Sequence, residues 1–154
     1  MAETAGAICG ECRSMEGLVC VVTGATSGIG REIALGLARA GARVLGVGRS
    51  AERAALAERE IGRDAGRGEV RFTAADLSLQ SSVAALAREA ATRWGRVDVL
   101  VNNAGTFAAR RALTPDGVEL QLAVNYIAPF LLTRELLPHL AREPDGRVLS
   151  LSSG

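Results

Sequence analysis

Short apolar runs alternate along the chain with longer segments whose apolar residues recur every three or four positions. The runs are 18–22, 44–47, 70–74, 97–101 and 147–152. Most are nearly unbroken in apolarity, the pattern of strands buried on both faces of a parallel sheet. The intervening segments read as helices. Ile29, Ile33 and Leu37 stand four residues apart ahead of Gly41, a stop signal. Ser50 precedes an Ala/Glu/Arg-rich stretch closed by Gly62. Val83, Leu86, Ala87, Ala90 and Trp94 mark one face of a third helix, ended by Gly95. Thr114-Pro115 reads as the N-cap and first position of a fourth, which runs to about residue 141 and carries Pro129 and Pro138. The order βαβαβαβαβ predicts an α/β fold: a doubly wound parallel sheet, followed through its fifth strand.

Composition narrows this picture. A chain of 154 residues fits one domain with a real core. We read 1–16 as a flexible N-terminal extension and 17–154 as the domain, incomplete at its C-terminal end. A net charge of +1 gives no electrostatic case for nucleic acid or a membrane surface, and 3% aromatics make stacking platforms for single strands implausible. Cys9-x-x-Cys12 could supply two metal ligands, but no second pair follows and His139 is the sole histidine, so no metal site is expected. Cys20 sits in an apolar run and reads as core. Residues 1–16 do not form a signal peptide, and no run approaches the roughly 18–20 apolar residues of a membrane span. The expected location is cytoplasmic.

Candidate chemistry begins after the first strand, in Thr-Gly-Ala-Thr-Ser-Gly-Ile-Gly, residues 23–30. Gly24 lets the chain turn sharply off the strand. Gly28 and Gly30 let backbone N–H groups and a helix start approach a pyrophosphate, whose charge a helix N-terminus favours. Thr26 and Ser27 add hydroxyl donors, and Ile29 stands between the last two glycines. A tight strand-to-helix turn without ligand would use the same glycines.

This loop resembles the cofactor loop of the short-chain dehydrogenase/reductase family, a Rossmann-fold family. Asp76-Leu77 after the third strand, Asn102-Asn103-Ala104-Gly105 after the fourth, Asn125 in the fourth helix and the terminal Leu-Ser-Leu-Ser-Ser extend the resemblance over 17–154. The segment 116–140 further resembles the retinol-dehydrogenase-like and protochlorophyllide-reductase-like branches. The resemblance implies a nicotinamide cofactor and a small carbonyl or alcohol substrate, with a homo-oligomer as the full-length form. It also implies that the end of the second strand selects the cofactor. There Gly48 supplies no carboxylate and Arg49 supplies a fork of donors, which suits the 2′-phosphate of NADP better than NAD. Arg49 could equally be a solvated helix-start arginine. By the same resemblance Asp76 and Leu77 would hold the adenine, although Asp76 also suits a cap before Ser78. Asn102, Asn103, Ala104 and Gly105 would close over the adenine ribose and brace the sheet.

Asn125 carries an argument from its neighbours. Pro129, four residues on, has no N–H for the Asn125 carbonyl, so the helix should be irregular there. In the family this carbonyl holds a water of the proton relay. The catalytic serine falls on Ser153, with Ser152 as the alternative register; both could simply end a strand. The family's Tyr-x-x-x-Lys is absent from these residues: Tyr126 is followed four positions later by Phe130, and there is no lysine. A tyrosine near pKa 10 needs such a cation to act as general acid or base. Two functions are therefore expected to compete: an NADP-dependent short-chain oxidoreductase of which this is the N-terminal portion, and a non-catalytic NADP-binding or interaction module.

Overall fold

The computed structural model describes residues 14–140 and 146–152. Strands β1 (Val19–Thr23), β2 (Arg43–Gly48), β3 (Glu69–Ala74), β4 (Val99–Asn102) and β5 (Arg147–Ser150) form one parallel sheet in the order β3-β2-β1-β4-β5. The doubly wound expectation is met. Strand order reverses between β1 and β4, which opens a crevice at the carboxyl ends of those strands.

Every residue of β1 is buried, and alternate side chains serve opposite faces. Cys20 and Val22 pack with α1 (Gly28–Arg39) and α2 (Ala51–Asp64) through Ala34, Ala38, Ala57 and Ile61. Val21, joined by Leu45 and Val47, packs with α3 (Gln80–Arg93) and α5 (Ala128–Leu140) through Val83, Leu86, Leu132 and Leu136. Each Val, Leu or Ile among these contributes roughly 1.5–3 kcal/mol on burial, and each alanine less. Two-sided burial is thus the reason these strands read as unbroken apolar runs.

One buried polar group ties the sheet at its lower end. The Asp98 carboxylate accepts the Val19 N–H at 2.7 Å and pairs with Arg96, while the Asp98 carbonyl accepts the Arg147 N–H at 2.8 Å. Asp98 therefore bonds to the strands on both sides of β4. Its charge and burial together push the Cys20 thiol up to about 12, burial being the larger cause.

Several helix limits differ from those expected. On α1 the buried line is Gly30, Ala34, Leu35 and Ala38, whereas Ile29 is exposed and Ile33 and Leu37 are only partly packed. Small residues face the sheet because the helix lies close upon it. Ser50 caps α2, its hydroxyl accepting the Arg53 N–H at 3.3 Å. That helix runs through Gly62 to Asp64, and the left-handed residue that follows is Gly66. Thr114-Pro115 does not start a helix. The Thr114 N–H donates to the Val118 carbonyl and its hydroxyl accepts the Val118 N–H, closing a turn around Gly117, whose φ is +74°. The helix begins instead with α4 (Leu120–Leu122), capped by Glu119, which accepts the Leu122 N–H at 2.9 Å.

Between α4 and α5 the expected irregularity is present as a π-helical turn, Ala123–Ile127, in which the Ala128 N–H reaches the Ala123 carbonyl. Pro129 cannot supply the α-helical bond to the Asn125 carbonyl, and widening by one residue is a known answer to such a break. Met15, in the segment read as an extension, packs on the first core cluster and donates its N–H to the Ala40 carbonyl.

Candidate functional site

The crevice between β1 and β4 is built around Thr23. Its hydroxyl donates to the Val101 carbonyl at 3.3 Å and accepts the N–H groups of Asn103 (3.1 Å) and Ala104 (3.0 Å). The Asn103 amide returns the tie, donating to the Thr23 carbonyl at 2.9 Å and the Gly24 carbonyl at 3.4 Å. Two loops eighty residues apart in sequence are thereby locked to each other. Asn103 lies in the segment expected to close over the ribose and brace the sheet, whereas the role of Thr23 was not foreseen; the signal available was a threonine at a strand end.

This tie explains the glycines. Gly24 has φ +67°, and a Cβ there would stand 2.9 Å from the Ala104 Cα. At Gly30 a Cβ would stand 2.3 Å from Asn103 Nδ2 and 2.4 Å from the Gly24 carbonyl oxygen. Gly30 is thus required by the Asn103 brace behind the loop and by the Gly24 carbonyl. Gly28 differs: its φ is +54° and nothing lies within 4 Å of the Cβ position, so it faces open space at the start of α1. Ser27 makes no side-chain cap bond and leaves its hydroxyl uncommitted.

A cleft of about 530 Å³ opens in front of this turn. Gly24, Thr26, Ser27, Arg49, Asp76, Leu77, Ala104 and Gly105 all line it, bringing together eight of the residues expected to touch cofactor. Gly28, Ile29 and Gly30 do not line it, nor does Asn102. Asp76 accepts the Ser78 N–H at 2.9 Å through one oxygen, a bond inside the loop that precedes α3 rather than a cap on the helix, while its own N–H donates to Ser82. At the far wall, Arg49 and Arg53 stand one turn apart at the start of α2, both exposed and neither paired with a carboxylate among the described residues. Arg53 was not foreseen; its spacing of four from Arg49 is the sequence signal.

A second cleft of about 620 Å³, mainly apolar, continues from the first, with which it shares Leu77, Ala104 and Val124. Asn102, Asn125, Ser150 and Ser152 bring polar groups to it, and Tyr126, Phe130 and Leu137 form its outer apolar wall. The Asn125 side chain grips Thr106 from both sides, accepting its N–H at 2.8 Å and donating to its carbonyl at 2.9 Å. Its side chain is therefore committed to positioning the loop. Asn102 donates to the Thr133 hydroxyl at 3.2 Å, and its Oδ1 is buried without a partner among the described residues. Ser153 lies outside the described residues, as do Cys9 and Cys12; Ser152, the alternative register, is exposed at the cleft. Among the described residues, no cluster of three or more His, Cys, Asp or Glu could hold a metal, and no helix is long and apolar enough to cross a membrane.

Comparison with known proteins gives a consistent result. The sequence pattern described as short chain dehydrogenase matches residues 18–154. Dehydrogenase/reductase SDR family member 13 of Bos taurus is 44% identical over 140 residues, 91% of this chain and 37% of that protein. Retinol dehydrogenase 13 of Mus musculus is 37% identical over 149 residues, 97% of this chain and 45% of that protein. The chain therefore spans less than half the length of these two relatives. Among solved structures, a metagenomic short-chain oxidoreductase in complex with NADP superposes with a TM-score of 0.81 at 39% identity, covering 92% of this chain and 64% of that one. A 7α-hydroxysteroid dehydrogenase complexed with NADH and 7-oxo glycochenodeoxycholic acid gives 0.79 at 30% identity, covering 90% and 54%.

Proposed function

The chain belongs to the short chain dehydrogenase family, and from that premise we propose that it binds NADP, in a protein that moves a hydride between the nicotinamide and a carbonyl or alcohol. The observation that carries this reading is the pair of guanidinium groups, Arg49 and Arg53, which have no carboxylate partner among the described residues and stand on the wall of a polar cleft whose opposite side is the glycine turn. Unpaired arginines facing one cleft suit a phosphate, because each presents a fork of donors.

The residues fit the cofactor. Gly28 leaves open space at the start of α1 for a pyrophosphate, with the Ser27 hydroxyl free to donate beside it. Asp76 keeps one carboxylate oxygen beyond its bond from Ser78 for an adenine amino group. Arg49 takes the 2′-phosphate, and Ala104 and Gly105 close over the ribose. When bound, NADP supplies the hydride-accepting ring. In this chain the Asn125 carbonyl, deprived of an α-helical donor by Pro129, holds a water, while Ser153 or Ser152 donates to the substrate oxygen.

Titration of NADPH and NADH fluorescence against the purified chain tests the cofactor. NADPH is expected to bind at least about tenfold more tightly, and Arg49→Ala is expected to remove that preference while leaving NADH affinity in place. Comparable dissociation constants for the two cofactors would sink the preference.

A second reading, a nucleotide-binding module without catalysis, is favoured by one observation. These 154 residues hold no lysine and no Tyr-x-x-x-Lys, so the tyrosine–lysine pair that would exchange the proton is not among them. This polypeptide is accordingly expected to bind cofactor without reducing carbonyls. Steady NADPH turnover with a ketone would overturn that expectation.

A further inference from the structure

Gly48 closes β2 at the position where, some twenty residues after the glycine turn, a dinucleotide fold that uses NAD carries its ribose-binding carboxylate. Its backbone does not require glycine, since its φ lies outside the left-handed region. The requirement comes from across the cleft. A Cβ on residue 48 would stand 2.2 Å from the Thr26 methyl carbon, 3.2 Å from its hydroxyl and 3.3 Å from its Cβ, and these are the three nearest atoms. Thr26 alone thus makes the tight contact at this position.

We infer that Thr26 is a specificity-determining residue for the cofactor, acting through its methyl group. The methyl occupies the place where any side chain on residue 48 would begin. It keeps the strand end free of a carboxylate and leaves the ribose 2′ position to Arg49 and Arg53. The inference rests on the NADP reading and adds a partner that the reading does not contain. A β-branched side chain has few rotamers, so the methyl does not swing away freely. A carboxylate at 48 would hydrogen-bond the ribose hydroxyls of NAD and repel a 2′-phosphate, but it cannot be seated while the Thr26 methyl stays.

The test is a double-mutant cycle on the full chain: Thr26→Ser, Gly48→Asp and their combination, each titrated with NADPH and NADH. Gly48→Asp alone is expected to lose NADPH affinity without gaining NADH affinity. Adding Thr26→Ser, which deletes the methyl and keeps the hydroxyl, is expected to raise NADH affinity by about tenfold over Gly48→Asp, beyond any effect of Thr26→Ser by itself. If Gly48→Asp binds NADH as tightly as the double variant, the inference is overturned. Should Gly48→Asp not fold, Gly48→Ala isolates the steric part. Its melting temperature is expected to fall and to recover when Thr26→Ser is added, and strictly additive shifts would overturn the contact. Equal wild-type affinities for the two cofactors would sink the NADP preference and leave the steric coupling standing, so the two failures are distinguishable.

Discussion

The two edges of the sheet are finished in opposite ways. At β3 the Phe72 N–H donates to Glu58 at 2.6 Å, the Thr73 hydroxyl donates to Glu89 at 2.9 Å, and Arg43, Glu69 and Arg71 ring the start of the strand with charge. At β5 all four residues are exposed, and Val148, Leu149 and Leu151 project apolar side chains on alternate sides of the strand. Edge strands stay single when their spare polar groups are occupied and charges stand beside them. Among the described residues β3 is finished by that measure and β5 is not. The polar cleft lies towards β3, whereas Ser150 and Ser152 sit at the open side.

If β5 is held only as an edge, cutting the hold of β4 on β1 should cost far more than any change at β5. Asp98→Ala removes a buried carboxylate and leaves the Val19 N–H and Arg96 without it. A loss of about 3 kcal/mol is expected, read by urea or thermal unfolding. Leu149→Lys should change stability by under about 0.5 kcal/mol, as for exposed positions generally. It should nonetheless reduce self-association of the chain in sedimentation velocity, since an edge lysine disfavours strand-to-strand pairing. A wild-type chain that stays monomeric at high concentration would break the comparison.

The closed edge can be opened in turn. Glu58→Ala deprives the Phe72 N–H of its acceptor, with an expected cost of about 1–2 kcal/mol. The same variant should begin to associate through β3. Glu58→Gln, which still offers an acceptor oxygen, should recover most of both effects. If alanine and glutamine behave alike, the hydrogen bond is not what finishes this edge.

The strands, the glycine turn and the parallel order were legible because each is written locally. Two-sided burial makes β1 and β2 unbroken apolar runs, and the left-handed turns at Gly24 and Gly28 need glycine at those positions. What could not be read joins residues far apart. The Thr23–Asn103 tie spans eighty residues, and its amide is one of the two groups that require glycine at position 30. The N-terminus of α3 is served by Asp116, whose carboxylate accepts the Gln80 N–H at 2.9 Å from thirty-six residues away. Thr114-Pro115 misled because its signal is local and genuine, yet the threonine spends its bonds on Val118. Gly48 read as a missing carboxylate; that its neighbour across the cleft is the Thr26 methyl is a fact of tertiary packing.

The centre of the sheet offers the finest gauge against its open edge. Cys20 lies on β1, fully buried, and its thiol is pushed up to about 12 by burial and then by the Asp98 charge. The thiolate is the reactive form, so at neutral pH Cys20 should react with a thiol reagent only when the sheet opens. In a chain with Cys9→Ser and Cys12→Ser, labelling should therefore follow the unfolding equilibrium and speed up with urea. A cysteine placed at the edge by Leu149→Cys should label at the rate of a free thiol, urea or not. Alkali extends the contrast. Between the ordinary thiol value of 9.0 and about 12, only the unfolded chain gives up the Cys20 proton. Stability that is complete below pH 9 is then lost as pH rises through that window, and Cys20→Ala should flatten this part of the profile. Fast labelling of Cys20 in the folded chain at pH 7 would mean that β1 is no better protected than β5.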